Sequence, residues 1–261
     1  MCKRVLQSCR AWLGICLLIL ALAVSPDFAL AGQEMKAVTF DATAGTIEVA
    51  SVYETSFVAQ KGTVKSLKTL SKSMKKAPGF KGSLVLQSQD GKRVITLAQW
   101  QDLASYQAFV PPSAASNKAT VGSTAPPVPT RTLTYELALA QPALPGATPA
   151  LRGKQAVVQL IQFVAKQPTN FPQLLERVES LIPALLQKQP IPQSVVLLKS
   201  VEPAEAALLV NWNCSPAFED VGQPTAIEPD EPLLALADVN QQLFNVATLL
   251  PVEVKSAKED D

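Results

Sequence analysis

Histidine is absent from all 261 residues. That removes the usual general base near neutral pH, the commonest metal ligand, and the proximal haem ligand of globins and peroxidases. Cysteine is scarce: Cys2, Cys9 and Cys16 crowd the start of the chain, and only Cys214 lies beyond them. Without the first segment no internal disulfide can close, so the fold must rest on its core. Cys214 has no histidine to activate it and is read as an inert thiol. No Cys/His cluster, Ser-His-Asp set, phosphate-binding P-loop or G-x-G-x-x-G turn occurs. Nor is one sign of charge in excess: 23 basic and 22 acidic residues leave a formal +1, which does not recommend nucleic acid as a partner.

The N-terminus has the three parts of a secretory signal. Lys3, Arg4 and Arg10 give a positive start, Ala11 to Val24 an apolar run, and Pro26 a break before Ala29-Leu30-Ala31. The run is short for a bilayer span, so residues 1–31 read as a signal peptide rather than an uncleaved anchor. Ile15 before Cys16 argues against a lipoprotein signal. The expectation is an exported protein, periplasmic or secreted, cleaved after Ala31, with no stable membrane insertion once the signal is gone. The part from Gly32 onward loses Lys3, Arg4, Arg10 and Asp27, leaving 20 basic and 21 acidic residues, a net of −1.

Two stretches of this part read alike. Thr46 to Tyr53 alternates as a strand, and Lys61 to Lys76 is an amphipathic helix with Val64, Leu67, Leu70 and Met74 on one side. Pro78-Gly79 ends it. Ser83 to Ser88 and Arg93 to Trp100 are strands joined at Asp90-Gly91, a hairpin pair. Leu103 to Val110 is a short helix, and Arg131 to Leu139 a strand after a loop from Pro111 to Thr130, read as either lid or slack. The order then recurs. Ala156 to Ala165 is strand-like, and Thr169 or Asn170 caps a helix with Phe171, Leu174, Val178, Ile182 and Leu185 on one wide face, kinked near Pro183. Ser194 to Leu198, Ala206 to Trp212 and Val246 to Val254 follow as strands, with an acidic, proline-rich loop from Gly222 to Pro232. Thr46 to Trp100 is a step of 54 residues and Ala156 to Trp212 a step of 56.

The expected fold is α+β: two tandem ferredoxin-like βαββαβ repeats packed sheet to sheet as an intrachain pseudo-dimer. The expected divisions are a first domain at 40–140, a linker at 141–154, a degenerate second domain at 155–255 and a charged tail at 256–261.

The run Ala77-Pro-Gly-Phe80, the Asp90-Gly91 hairpin, Gln99-Trp100 and the continuation to Tyr106-Gln-Ala-Phe109 resemble the antibiotic biosynthesis monooxygenase (ABM) family. The resemblance covers residues 46–139; from Ala156 onward it thins to a pattern plus Val210-Asn-Trp212. It implies a dimeric α/β barrel with a pocket between sheet and helices. Some members oxygenate aromatic polyketides with O2 and no metal or flavin, others degrade haem, and the missing histidine disfavours the second activity here. By resemblance the catalytic candidates are Trp100, Tyr106 and Thr96, with no cofactor. Thr96 stands where the family has an asparagine, and its hydroxyl cannot offer the paired donor and acceptor of an amide.

The expected reaction deprotonates a phenolic substrate and exposes its carbanion to O2 in a dry site, with Tyr106, the Trp100 indole N–H and Thr96 as donors to the oxyanion. The other reading is a non-catalytic module binding a hydrophobic ligand or a protein, with Trp100 a core residue. The second repeat offers Leu208, Trp212 and Phe218 at the matching places and reads as structural. The lysines at 61, 65, 68, 72, 75 and 76 read as a solvated helix face, docking on an anionic membrane or partner being the alternative.

Overall fold

The computed structural model describes residues 37–109, 127–153, 156–188, 191–214, 224 and 226–251, without the side chains of 213 and 214. The signal segment, most of the 111–130 loop, Phe218, the Cys214 side chain and the tail lie outside them.

Eight long strands close into one barrel: β2 (Ile47–Glu54), β3 (Phe80–Ser88), β4 (Arg93–Trp100), β5 (Arg131–Pro142), β7 (Ala156–Ala165), β8 (Ser194–Ser200), β9 (Glu205–Cys214) and β10 (Ala237–Pro251). Their order around the barrel is β10-β3-β4-β2-β5-β8-β9-β7, every described pairing antiparallel. Closure leaves the barrel itself no edge strand to template association. Within the first half the pairing runs β3-β4-β2-β5, and within the second β8-β9-β7-β10.

The two longest strands bind the halves together. β5 pairs with β2 through Glu136 and continues along β8 to Pro142; β10 pairs with β7 through Asn245 and continues along β3 to Pro251. Each has a register shift near the crossing, at Leu137/Leu139 and at Val246/Thr248. A bulge adds a residue and sharpens twist, which lets a strand bend from one sheet into the next. β10 therefore begins nine residues before the expected Val246. Asp238, Asn240, Gln241 and Gln242 hid it, because polar residues lower strand propensity while pairing on the ladder overrides it.

A second departure lies at 141–154, expected as a linker. β5 occupies its start, and β6 (Ala150–Arg152) pairs with β1 (Ala37–Thr39) as a two-stranded piece. Val38, Phe40 and Leu151 from this piece join the lumen core with Leu84, Leu97, Leu133, Leu160, Leu198, Leu209 and Phe244. The barrel is thus filled by side chains, as strand alternation in an eight-stranded barrel requires.

Helices cover the outside. In the first half α1 (Phe57–Met74) starts at the Ser56 cap, four residues before the expected Lys61, and α2 (Leu103–Ala108) starts at the Asp102 cap. In the second, α3 (Phe171–Leu186) follows a short 3₁₀ turn and runs through Pro183. α4 (Glu231–Leu236), capped by Asp230, begins at the end of the expected 222–232 loop. Two glycines have steric reasons. Gly79 in the Pro-Gly-Phe turn has φ 77°, and a Cβ there would lie 2.4 Å from Ser105 Oγ; Gly91 in the hairpin has φ 76°, and a Cβ would lie 2.9 Å from Phe57 Cα.

Candidate functional site

Strand alternation sends Ile95, Leu97 and Gln99 of β4 into the lumen and Val94, Thr96, Ala98 and Trp100 outward under the helices. Register places Ser51 of β2 and Val85 of β3 on either side of Thr96, and Val49 and Ser83 on either side of Ala98. The outer face therefore carries a polar band, Ser51, Thr96 and Ser83, between two apolar groups. One is built on Tyr53, Leu67, Val85 and Val94, the other on Ile47, Val49, Phe80, Ala98 and Trp100.

Trp100 is fully buried and ringed by aromatics: Phe80 edge-on at 5.4 Å, Tyr106 at 5.8 Å and Phe109 at 5.6 Å. Such offset and edge contacts add to the area buried. Yet the indole Nε1 has no hydrogen-bond partner, and neither has the buried Ser83 Oγ. Thr96 lies on the same face, but its hydroxyl is hydrogen-bonded to Tyr53, which also bonds Ser51.

Burial raises the Tyr53 phenol above its ordinary range; the bonds to Thr96 and Ser51 oppose this in part, and nearby Tyr106 adds to it. Burial likewise raises Tyr106. Both phenols are therefore protonated donors at neutral pH, not bases. Among the described residues no three His, Cys, Asp or Glu side chains gather as metal ligands.

The buried carboxylates face the other way. Glu48 points into the lumen, where Oε1 accepts from Gln99 Nε2 at 2.9 Å and Oε2 has no partner. Burial pushes its pKa up to about 8, opposed by the Gln99 bond. Glu205, also fully buried, accepts from Arg131 Nη2 at 2.5 Å, Tyr135 Oη at 3.0 Å and Gln162 Nε2 at 3.1 Å. Two concavities are evident. One is an open groove beside Arg177 and Pro232; the other is a void of about 30 Å³ in the lumen, near Tyr135 and Gln162, with room for a water or two. Neither is lined by Thr96, Trp100 or Tyr106.

With this geometry in hand, solved structures supply three likenesses. An anthrone oxidase-like protein matches 85% of this chain and 99% of its own, with TM-score 0.60 and 16% identity. A candidate monooxygenase of Fusobacterium nucleatum subsp. nucleatum matches 79% of this chain and 94% of its own, with TM-score 0.53 and 9% identity. One from Lactobacillus acidophilus NCFM matches 79% and 96%, with TM-score 0.50 and 10% identity. The chain shares its fold, an α+β chain closing an eight-stranded barrel, with these proteins. At these identities the likeness shows the fold and no more. No protein-family model matches the sequence, and no curated protein matches it.

Of the three candidates from the sequence, Trp100 and Tyr106 come together as ring neighbours, while Thr96 shares their sheet face with its hydroxyl engaged by Tyr53. Ser83, Ser51 and Tyr53 were not among those candidates. Alternation through Thr46–Tyr53 marks Ser51 and Tyr53 as sharing a face; Ser83 required the register of β3 on β4.

Proposed function

We propose that the chain is an exported intrachain pseudo-dimer of two ferredoxin-like repeats, in which only the first keeps a competent face. That face binds a small aromatic or quinol-like compound between sheet and helices and oxygenates it with O2, without metal or flavin. The observation that carries this reading is the pair of buried, unpartnered groups, Trp100 Nε1 and Ser83 Oγ. Leaving a buried donor unpaired costs about 1–3 kcal/mol, and a ligand oxygen reaching either group recovers part of that cost.

Donors so placed favour a negative oxygen, and so the ionised form of a phenol or enol. In an anthrone-type substrate the activated CH2 loses a proton and the carbanion reduces O2. A carbon–oxygen bond forms, the second oxygen leaves as water, and the CH2 becomes C=O. Tyr53 and Tyr106, kept protonated by burial, stabilise the anion and do not accept the proton, which passes to solvent or to a basic group of the substrate. Entry is by displacement of α2: it carries Tyr106, Phe109 follows at its C-cap, and none of its six residues is buried. The name of the anthrone oxidase-like neighbour supports the substrate class.

The ring packing around Trp100 favours a second reading, a non-catalytic module for a hydrophobic ligand or a protein partner. Oxygen uptake by residues 32–261 with anthrones and hydroquinones, paired with tryptophan fluorescence titration, separates the two. Uptake that falls in both Trp100→Phe and Tyr106→Phe supports the oxygenase. A saturable fluorescence change without uptake supports the module, and neither response removes the site.

A further inference from the structure

Outside that site, the least explained feature is the solvent face of α1. Thr55 to Gln89 holds seven lysines and neither a carboxylate nor an arginine, in a chain whose charges nearly balance only over its whole length. Lys61, Lys65, Lys68, Lys72 and Lys75 are spaced four, three, four and three apart, which on an α-helix is a single line. With Lys76 beside the last, all are exposed, and none joins the ion pairs of the described residues. The helix buries Leu67 and Ser71, roughly a quarter-turn round from that line. Like charges three and four residues apart destabilise a helix, so this line is a standing cost that an anionic partner relieves. The same line runs back to Phe57 and Val58, which are 80% and 91% exposed. Phe57 sits against Gly91 of the hairpin, where no Cβ intervenes.

We propose that this face docks the protein on an anionic lipid bilayer, the lysines against headgroup phosphates and Phe57 and Val58 entering the interfacial layer. Three features favour a bilayer over a folded acidic partner or a nucleic acid. The charges lie in a line along an eighteen-residue helix, a shape suited to a plane. All are ammonium groups, hydrated point charges without the fork that arginine uses to recognise individual phosphates. At one end stand two bare apolar side chains, the second element that a polybasic patch needs for lasting membrane contact. Among the described residues no helix is long and apolar enough to cross a membrane, and the contact proposed is peripheral. It is independent of the oxygenase reading.

The test uses residues 32–261, which keep every described element and lack the apolar N-terminal run that would itself bind lipid. The protein is sedimented with phosphatidylcholine vesicles, with and without phosphatidylglycerol, and titrated with duplex DNA. Binding is expected only with phosphatidylglycerol, and is lost at about 1 M salt, where the Debye length is about 3 Å. Lys65→Glu, Lys68→Glu and Lys72→Glu together should weaken it roughly a hundred-fold or more, each lysine near an anionic surface being worth roughly a five-fold factor. Arginine at the same three positions should preserve binding. Phe57→Ser with Val58→Ser should weaken it roughly ten-fold by removing buried apolar area. Circular dichroism checks that each variant is folded. The proposal fails if the vesicles bind equally with and without phosphatidylglycerol, or if none bind at low salt. DNA bound as tightly as the vesicles would also overturn it and make the face a general polyanion surface.

Discussion

Aligning the halves on their two tryptophans, Trp100 opposite Ile47 and Trp212 near Val157, matches four positions on the outer faces of the sheets. Ser51, Tyr53, Ser83 and Thr96 in the first half correspond to Ile161, Phe163, Val195 and Leu208 in the second. The covering helices follow suit: α1 buries Leu67 and Ser71, whereas α3 buries Leu174, Val178, Ile182 and Leu185. On the lumen side Glu48 corresponds to Val158, each opposite an amide residue, Gln99 or Asn211. On its outer face the second half is apolar at these four positions, and its buried carboxyl, Glu205, is satisfied by Arg131, Tyr135 and Gln162. The first half places hydroxyls on that face and leaves Oε2 of the buried Glu48 without a partner, the kind of local rule-breaking expected where function is carried.

The largest expected effect tests the claim that the second half is scaffold. Trp212→Ala should cost about 3–5 kcal/mol in denaturant unfolding while leaving ligand binding by the remaining folded protein intact. Loss of binding without loss of stability would break the comparison.

Next comes Glu48. Its folded pKa of about 8 lies above the ordinary value of 4.5. Below pH 4.5 both states are protonated and the group is neutral in its effect; as pH rises toward 8 the unfolded state ionises first, so stability falls, and above 8 it levels off. Over the whole window the fall should be on the order of 5 kcal/mol, and Glu48→Gln should abolish it. Unfolding midpoints at pH 5 and 8 that agree in the wild type would remove the penalty.

A smaller pair of changes exchanges the faces. Phe163→Tyr buries a hydroxyl among apolar neighbours and should cost about 1–3 kcal/mol, while Tyr53→Phe, losing its bonds to Thr96 and Ser51, should cost about 1 kcal/mol. Equal costs would mean the two floors are more alike than their residues suggest. Smallest of all, Ser83→Ala removes an unpartnered hydroxyl and should raise stability by up to about 1 kcal/mol while weakening ligand binding. A stabilised variant with undiminished binding would take Ser83 out of the site.

Arg93–Trp100 and Ala156–Ala165 were legible in the sequence to the residue, because each alternates or runs apolar between clear turn signals. α1 was legible as a helix but not at its start, since Phe57 and Val58 are exposed and contribute nothing to the periodicity from which it was recognised. β6 and the first half of β10 were not legible. The former is three residues long, and the latter is a polar stretch made a strand by the neighbour it pairs with. The same division runs through the site. Trp100 and Tyr106 are candidates by the resemblance to the ABM family, whose motif falls in one short run of sequence; Ser83 comes from another strand.

Composition and local pattern by themselves determined that this chain builds strands and amphipathic helices in the same order twice, without disulfides among its later residues and without histidine chemistry. These are properties of neighbours along the chain, where side-chain period and backbone preference act directly. Tertiary structure alone decided that β5 and β10 cross between halves, that Glu48 and Glu205 are buried in the lumen, and that Ser83 and the Trp100 indole share a face without partners. Each depends on ladder register between strands distant in sequence, and a shift of one residue would turn every side chain of a strand to the opposite face.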